Sequence, residues 1–130
     1  MKHNVKVGDK REYRRSVTAT DFATFDHEVL HRVCSTFSLA RDFEWSSRLF
    51  FIDMREADEE GVGTHVSIDH KSPAFEGEEI IFTATVSEVG PMHLWCTIEA
   101  RVGDRLIATG KTGQKMLKRE RLNQLFGRHG

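Results

Sequence analysis

Cysteine is nearly absent from these 130 residues. Cys34 and Cys96 stand far apart and outside any CxxC spacing, which argues against a disulfide framework or a cysteine-held zinc site and fits two reduced thiols. A charge of one sign is lacking too: Lys and Arg total 19 against 20 Asp and Glu, so no whole-molecule field favours nucleic acid or an anionic membrane surface. Any anion must be held locally. No stretch approaches the ~20 apolar residues that span a bilayer, and Met1 to Lys10 is polar where a signal peptide needs an apolar run of roughly 7–15 residues. The expected setting is the cytoplasm, with neither membrane nor nucleic acid as partner. G-x-G-x-x-G and G-x-S-x-G are both missing. Gly110-Lys111-Thr112 has the form of the end of a phosphate-binding loop, but Arg105 stands where the first glycine belongs and the segment reads as strand. A single domain over 1–130 leaves no room for a cofactor domain, and no cofactor is expected.

What is present is a helix followed by strands. From Thr36 to Met54, apolar residues recur at Leu39, Phe43, Phe50 and Met54 with Ser46 in the intermediate turn, the three-and-four spacing of a helix laid on a core. Before it, Arg11 to Thr18 is β-prone, and Thr18, Thr20 and Asp21 offer N-cap chemistry for a brief helical turn through Phe22 and Phe25. After it, Asp58-Glu59-Glu60-Gly61 breaks the helical pattern. Strands are expected over about 63–71, 78–89, 92–102 and 105–116. Ile80, Phe82, Ala84 and Val86 alternate with Glu79, Thr83 and Thr85, and Cys96, Ile98 and Ala100 with Trp95, Thr97 and Glu99, so one sheet face is buried under the helix. Pro73 with Gly77, Gly90-Pro91 and Gly103-Asp104 punctuate the connections, which implies sequential hairpins and a meander. The expected fold class is α+β, a bent antiparallel sheet wrapped on one long helix. Such a small sheet leaves edges and an apolar flank for a second copy to cover, so a homodimer is expected. The basic tail from Lys118 to Gly130 reads as a frayed helix.

Two constellations carry chemistry. His27-Glu28-Val29-Leu30-His31 satisfies HExxH, which on a helix puts two imidazoles on one face to hold zinc while the glutamate activates water. Glu44 or Glu56 are the candidate third ligands of such a zinc hydrolase. The extended form fails, because Cys34 and Phe37 stand where a glycine and a third histidine belong, and a solvated or lid-region turn is the favoured reading, with no metal. The second constellation is Thr36, Glu44 and His70. Glu44 lies on the helix beside the apolar stripe, and His70 comes at the end of the first post-helix strand, where a strand terminus can aim an imidazole at the helix. A carboxylate, an imidazole and a hydroxyl converging on one cleft are the parts for acyl transfer to water. Spacing alone equally allows a solvated helix glutamate, a turn-capping histidine and an N-cap threonine.

Thr36-Phe37, Phe43-Glu44-Trp45, Gly63-Thr64 and Ile68-Asp69-His70, followed by Pro73 and Gly77, resemble the fluoroacetyl-CoA-thioesterase-like branch of the hot-dog superfamily, and the similarity extends from about Val7 to Leu122. The resemblance implies a hot-dog fold of about five strands and an acyl-CoA thioesterase whose catalytic set is Thr36, Glu44 and His70 in a cleft at a dimer interface, with acyl-CoA as substrate and dimers able to pair into tetramers. By that resemblance Glu44 attacks the thioester carbonyl or activates water, His70 assists proton transfer, Thr36 orients the substrate or stabilises charge, and backbone N–H groups near Gly63 form an oxyanion site. Eight helical residues separate Thr36 from Glu44 by roughly 12 Å. They therefore meet only if Thr36 folds back in a pre-helix loop, or through substrate, or across the dimer. Arg41 and Asp42 stand where relatives carry small and apolar residues, and would either pair around Glu44 or alter how the cleft opens. His27 and Leu30 occupy the apolar lid positions, so a short acyl group other than fluoroacetyl is implied. A hot-dog module that binds a thioester or another small ligand without turnover is the alternative.

Overall fold

The computed structural model describes residues 1–26 and 28–127. In chain order the elements are β1 (Lys10–Ser16), a 3-10 turn (Ala19–Asp21), β2 (Phe22–Phe25), β3 (Glu28–Cys34), α1 (Thr36–Met54), β4 (Glu59–His70), β5 (Glu79–Val89), β6 (His93–Val102), β7 (Arg105–Lys118) and α2 (Arg119–Gly127). Five strands form one antiparallel sheet in the order β1-β5-β6-β7-β4, and β2 with β3 makes a separate two-stranded hairpin. This is the α+β arrangement of one long helix on a five-stranded sheet.

The helix forms where its spacing places it. Ser35 is the N-cap, its Oγ accepting the Ser38 N–H at 3.0 Å, so Thr36 is the first helical residue and not the cap. Leu39, Phe43, Ser46, Phe50 and Met54 are all buried. Facing them, Ile80, Phe82, Ala84 and Val86 of β5 and Cys96, Ile98 and Ala100 of β6 are buried while their alternates look outward. Phe43 meets Phe82 edge-on with ring centroids 6.1 Å apart, and each such side chain removed from water contributes about 1.5–3 kcal/mol. Gly110 lets β7 pass close beneath the helix: a Cβ there would lie 1.9 Å from the Ser67 carbonyl oxygen and 2.9 Å from the Phe43 ring.

The strand order corrects the expected meander. β5, β6 and β7 do run as sequential hairpins, but β4 pairs with β7 and β5 takes β1 as its other neighbour. The Pro73–Gly77 connection therefore carries the chain from one side of the sheet to the other; a local turn signal cannot report whether its flanking strands pair with each other. β4 also begins earlier than expected, at Glu59, whose buried carboxylate accepts the Glu56 N–H at 2.9 Å. With that partner the acidic run starts a strand rather than a loop.

A further departure lies before the helix. Only Ala19–Asp21 is helical, and Phe22–Phe25 is strand paired with β3. Glu28 to His31 thus lies in a strand, so the helix on which the zinc motif depends is not formed; His27 itself lies outside the described residues. Among the described residues no cluster of three His, Cys, Asp or Glu side chains is placed to hold a metal ion. Neither is any helix long and apolar enough to cross a membrane.

A buried ion cluster roots the hairpin. Arg15 of β1 donates to Asp21 at 2.7 Å and to Asp42 of α1 at 2.7 and 3.0 Å, and both carboxylates are almost wholly buried. Burial pushes the Asp42 carboxyl above its ordinary range against the pull of Arg15. Burial acts the same way on Asp21, but Arg15 and the Thr18 N–H together hold it below. Arg41 reaches Asp21 at 3.4 Å. Arg41 and Asp42 therefore pair with Asp21 and Arg15, not around Glu44 as expected. The Asp21 carbonyl also accepts the Ser35 N–H at 2.8 Å, which ties the 3-10 turn to the start of the helix.

Cys34 and Cys96 are free and buried. Burial pushes the Cys34 thiol up to about 11 and the Cys96 thiol up to about 12. Because the folded-state pKa values are raised, their contribution to stability is complete below the unfolded thiol's range and is lost as pH climbs through 9 to 12. We expect no reaction with a disulfide reagent at pH 8 until the chain unfolds, and an alkaline fall in unfolding free energy that is shallower in Cys96→Ala. Rapid labelling of the folded protein would contradict this.

Candidate active site

The first half of the site is a hydroxyl–imidazole pair. Thr36, in the first turn of α1, places Oγ1 2.9 Å from Nδ1 of His70 at the last position of β4. The other ring nitrogen, Nε2, lies 3.0 Å from the Ser72 carbonyl oxygen. A carbonyl only accepts, so in the neutral ring Nε2 carries the proton and the Nδ1 lone pair accepts the Thr36 O–H. The chain turns immediately after His70, with the Lys71 and Ser72 N–H groups both bonded to the Ile107 carbonyl, which holds Ser72 where it can orient the ring.

The second half is the carboxylate of Glu44, half-buried on the same helix. It rests against Gly63 of β4: a Cβ at that glycine would lie 2.6 Å from Oε1. Gly63 sits at an irregularity in the β4–β7 ladder, where the register shifts between Gly63 and His65. Its cross-strand partner is Gln114, a buried amide whose Nε2 donates to the Glu44 carbonyl at 3.2 Å and to Ser47 Oγ at 2.6 Å. One cross-strand pair therefore fixes both ends of the glutamate, its backbone through Gln114 and its carboxylate through the bare backbone of Gly63. Sequence reading missed Gln114; a lone amide in an otherwise β-branched and glycine-rich strand was the available signal.

α1 and β4 run side by side in opposite senses, so Thr36 meets His70 while Glu44 meets Gly63. Thr36 lies within the helix, which removes the fold-back option, and the axial separation of roughly 12 Å between the two halves stands. A pocket of about 610 Å³ opens beside Thr36 between α1 and the root of the hairpin, lined by Phe22, Ala23, Thr24, Ser35, Phe37 and Arg41 among others. Leu30 is exposed on β3, next to the strand that supplies Ala23 and Thr24, and is not itself a lining residue. His27, the other lid position, lies outside the described residues.

The fold and this arrangement have known counterparts. A hypothetical protein of Thermus thermophilus described as a thioesterase superfamily member superposes with a TM-score of 0.92 at 23% identity, covering 97% of this chain and 93% of its own. A point mutant of the fluoroacetyl-CoA-specific thioesterase FlK superposes at 0.91 with 18% identity, covering 99% of this chain and 100% of its own. A hot-dog-like protein from Thermanaerovibrio acidaminovorans gives 0.86 at 21% identity, covering 95% and 93%. At these identities the likeness establishes the hot-dog fold. No curated protein sequence matches at a significant level. The sequence model of the FlK family, described as fluoroacetyl-CoA-specific thioesterase, matches residues 17–120, a span that holds Thr36, Glu44, Gly63 and His70, and by that match the chain belongs to this family of thioester hydrolases.

Proposed function

We propose that the chain hydrolyses a short or small acyl-CoA thioester to the free acid and coenzyme A, using Thr36, His70 and Glu44. The observation that carries this reading is the hydrogen bond of 2.9 Å between Thr36 and a His70 ring whose opposite nitrogen is occupied by a backbone carbonyl. A ring held in one tautomer, with its basic nitrogen on a hydroxyl beside a pocket, is poised to move a proton. In the proposed reaction Glu44 either attacks the thioester carbonyl or takes a proton from the attacking water, while Thr36 orients the carbonyl. His70 assists proton transfer: the proton lost by the water, held on Glu44 or passed through Thr36 Oγ1 to Nδ1 of His70, goes to the departing sulfur as the C–S bond breaks and a C–O bond forms. Backbone N–H groups near Gly63 stabilise the oxyanion. The fluoroacetyl specificity named for the family is not carried over, because Leu30 and His27 replace its apolar lid.

The two halves of the site lie too far apart on one helix for direct contact, so we assign them to one reaction centre across a homodimer. β4 supports this: it ends the sheet order, and Gly63 to Ser67 are exposed over five consecutive residues. A strand with one face on a core should alternate, and an uncovered edge of this length invites pairing with a second copy. The proposed setting is cytoplasmic.

The test is thiol release over a panel of short acyl-CoAs. Glu44→Ala and His70→Ala should each lose about 100-fold or more in kcat, the lower range for a lost general acid or base, while unfolding at the wild-type temperature. Turnover at the wild-type rate in either variant sinks the assignment. Gly63→Ala should behave differently from a core substitution. The new methyl meets the flexible end of Glu44 rather than backbone, so stability should fall by less than the about 1–3 kcal/mol of an overpacked core, while kcat drops because the carboxylate is displaced. Sedimentation should give a dimer; a monomer with full activity would remove the composite site.

A further inference from the structure

The pocket beside Thr36 holds a charge that the reaction proposed above does not use. Its walls are the rings of Phe22 and Phe37, hydroxyls such as those of Thr24 and Thr36, and Arg41, the one charged side chain among the described residues that line it. An apolar cleft that carries hydroxyls and a single cation suits a ligand with a carbon stem and an anionic end. A second cation stands against one of the lining rings, Arg32 of β3 lying 5.4 Å from the centroid of Phe22.

Arg41 also borders the buried ion cluster, and the distances separate its share from that of Arg15. Arg15 is 20% exposed and meets Asp21 and Asp42 at 2.7 to 3.0 Å, so both carboxylates are served at short range. Arg41 is 58% exposed and lies 3.4 Å from Asp21 and 3.9 Å from Asp42. Among the described residues its side chain makes one hydrogen bond, to Asp21 Oδ1. That bond turns the guanidinium toward the root of the hairpin and leaves its other donors for another acceptor. Asp21 does not oppose an incoming anion: its carboxylate is buried, and its other oxygen is bonded to Arg15 and to the Thr18 N–H.

We propose that Arg41 is a specificity-determining residue that binds a carboxylate at the far end of the acyl group, so that the preferred substrate is the coenzyme A thioester of a short dicarboxylic acid. The inference rests on the thioesterase reading for the bond that is cleaved, and on Arg41 for the acid at the other end. Arginine meets a carboxylate through two parallel N–H···O bonds, which gives direction as well as charge. Length agrees. From Thr36 to Arg41 the helix rises about 7.5 Å, and a hydrogen bond at each end leaves room for a chain of about four or five carbons from the thioester carbonyl at Thr36 to the carboxylate. The phosphates of coenzyme A do not reach this place, because the whole pantetheine arm separates them from the thioester sulfur.

Binding and chemistry are measured apart. Thiol release, corrected for the uncatalysed rate, is compared for glutaryl-CoA and valeryl-CoA, which have the same chain length and differ in the terminal carboxylate. The non-hydrolysable thioethers S-(4-carboxybutyl)-CoA and S-pentyl-CoA are titrated calorimetrically into the full chain. The wild type should favour glutaryl-CoA by about tenfold or more in kcat/KM and bind the carboxylated thioether about tenfold more tightly, the worth of one charge-assisted contact. Arg41→Gln should abolish both preferences while leaving valeryl-CoA, S-pentyl-CoA and the unfolding temperature unchanged, and Arg41→Lys should restore part of them. Equal binding of the two thioethers by the wild type, no binding of either, or an equal loss for both in Arg41→Gln overturns the assignment. Carboxylate-dependent binding through Arg41 without release of thiol from any acyl-CoA leaves Arg41 standing and removes the thioesterase reading. Release from valeryl-CoA with no preference for glutaryl-CoA does the reverse.

Discussion

The ladder between β4 and β7 is the constraint on which the site depends. It pairs Glu59 with Lys118 at one end and His70 with Ala108 at the other, and along that length it delivers Gly63 beneath Glu44 and His70 beside Thr36. A strand's side chains alternate, so a slip of one residue would turn every one of them to the opposite face: His70 would leave Thr36, and a residue with a Cβ would meet the Glu44 carboxylate. The register is held by an irregularity at Gly63 to His65, by the close pass of Gly110 under Ser67 and Phe43, and by Gln114, whose buried amide bonds to the helix. Packing and site geometry are therefore the same set of contacts.

The parts of the fold that sequence made legible are those with local causes. The α1 stripe from Leu39 to Met54, the alternation of β5 and β6, and the turns at Gly90-Pro91 and Gly103-Asp104 all follow from spacing within a dozen residues, and all are present. Strand order was not legible, because β1 with β5 and β4 with β7 pair residues about 70 and 50 apart, and nothing in either strand names its neighbour. The β2–β3 hairpin was hidden for a different reason. Thr18 and Asp21 do start a helical turn, but it lasts only to Asp21 before tertiary pairing takes over, and a short run such as Glu28 to His31 fits strand as well as helix.

Among the site residues, Thr36, Glu44 and His70 were reached through resemblance, since spacing alone left a capping and solvated reading open. Gly63 had a physical signal of its own, a lone glycine in a strand pattern, which marks a bulge or a close approach. Both hold here. Asp42 was the least legible. An aspartate among polar and charged helix neighbours looks solvated, yet it is buried because Arg15, twenty-seven residues earlier, is there to receive it. Leaving one such partner uncompensated is costly, and the pair is weak evidence for stability in itself. Its consequence is geometric: it joins β1, the 3-10 turn and α1 at the point where the β2–β3 hairpin departs, so the hairpin's root is fixed beside Thr36 while β3 is largely exposed.

The central helix can then be read as three stripes with separate duties. Leu39, Phe43, Phe50 and Met54 face the sheet and set its position. Thr36 and Glu44 flank that stripe and meet β4. Trp45, Arg48, Ile52 and Arg55 continue round the outer side, where Trp45 and Ile52 are 45% and 51% exposed. At 1.5 Å per residue a helix holds groups at fixed separations with little freedom between them, so Thr36 and Glu44 keep their spacing of roughly 12 Å whatever lies between them. The spacing within the candidate site is then a property of one rigid element, and the hairpin beside Thr36 is positioned separately, by the buried Arg15 cluster.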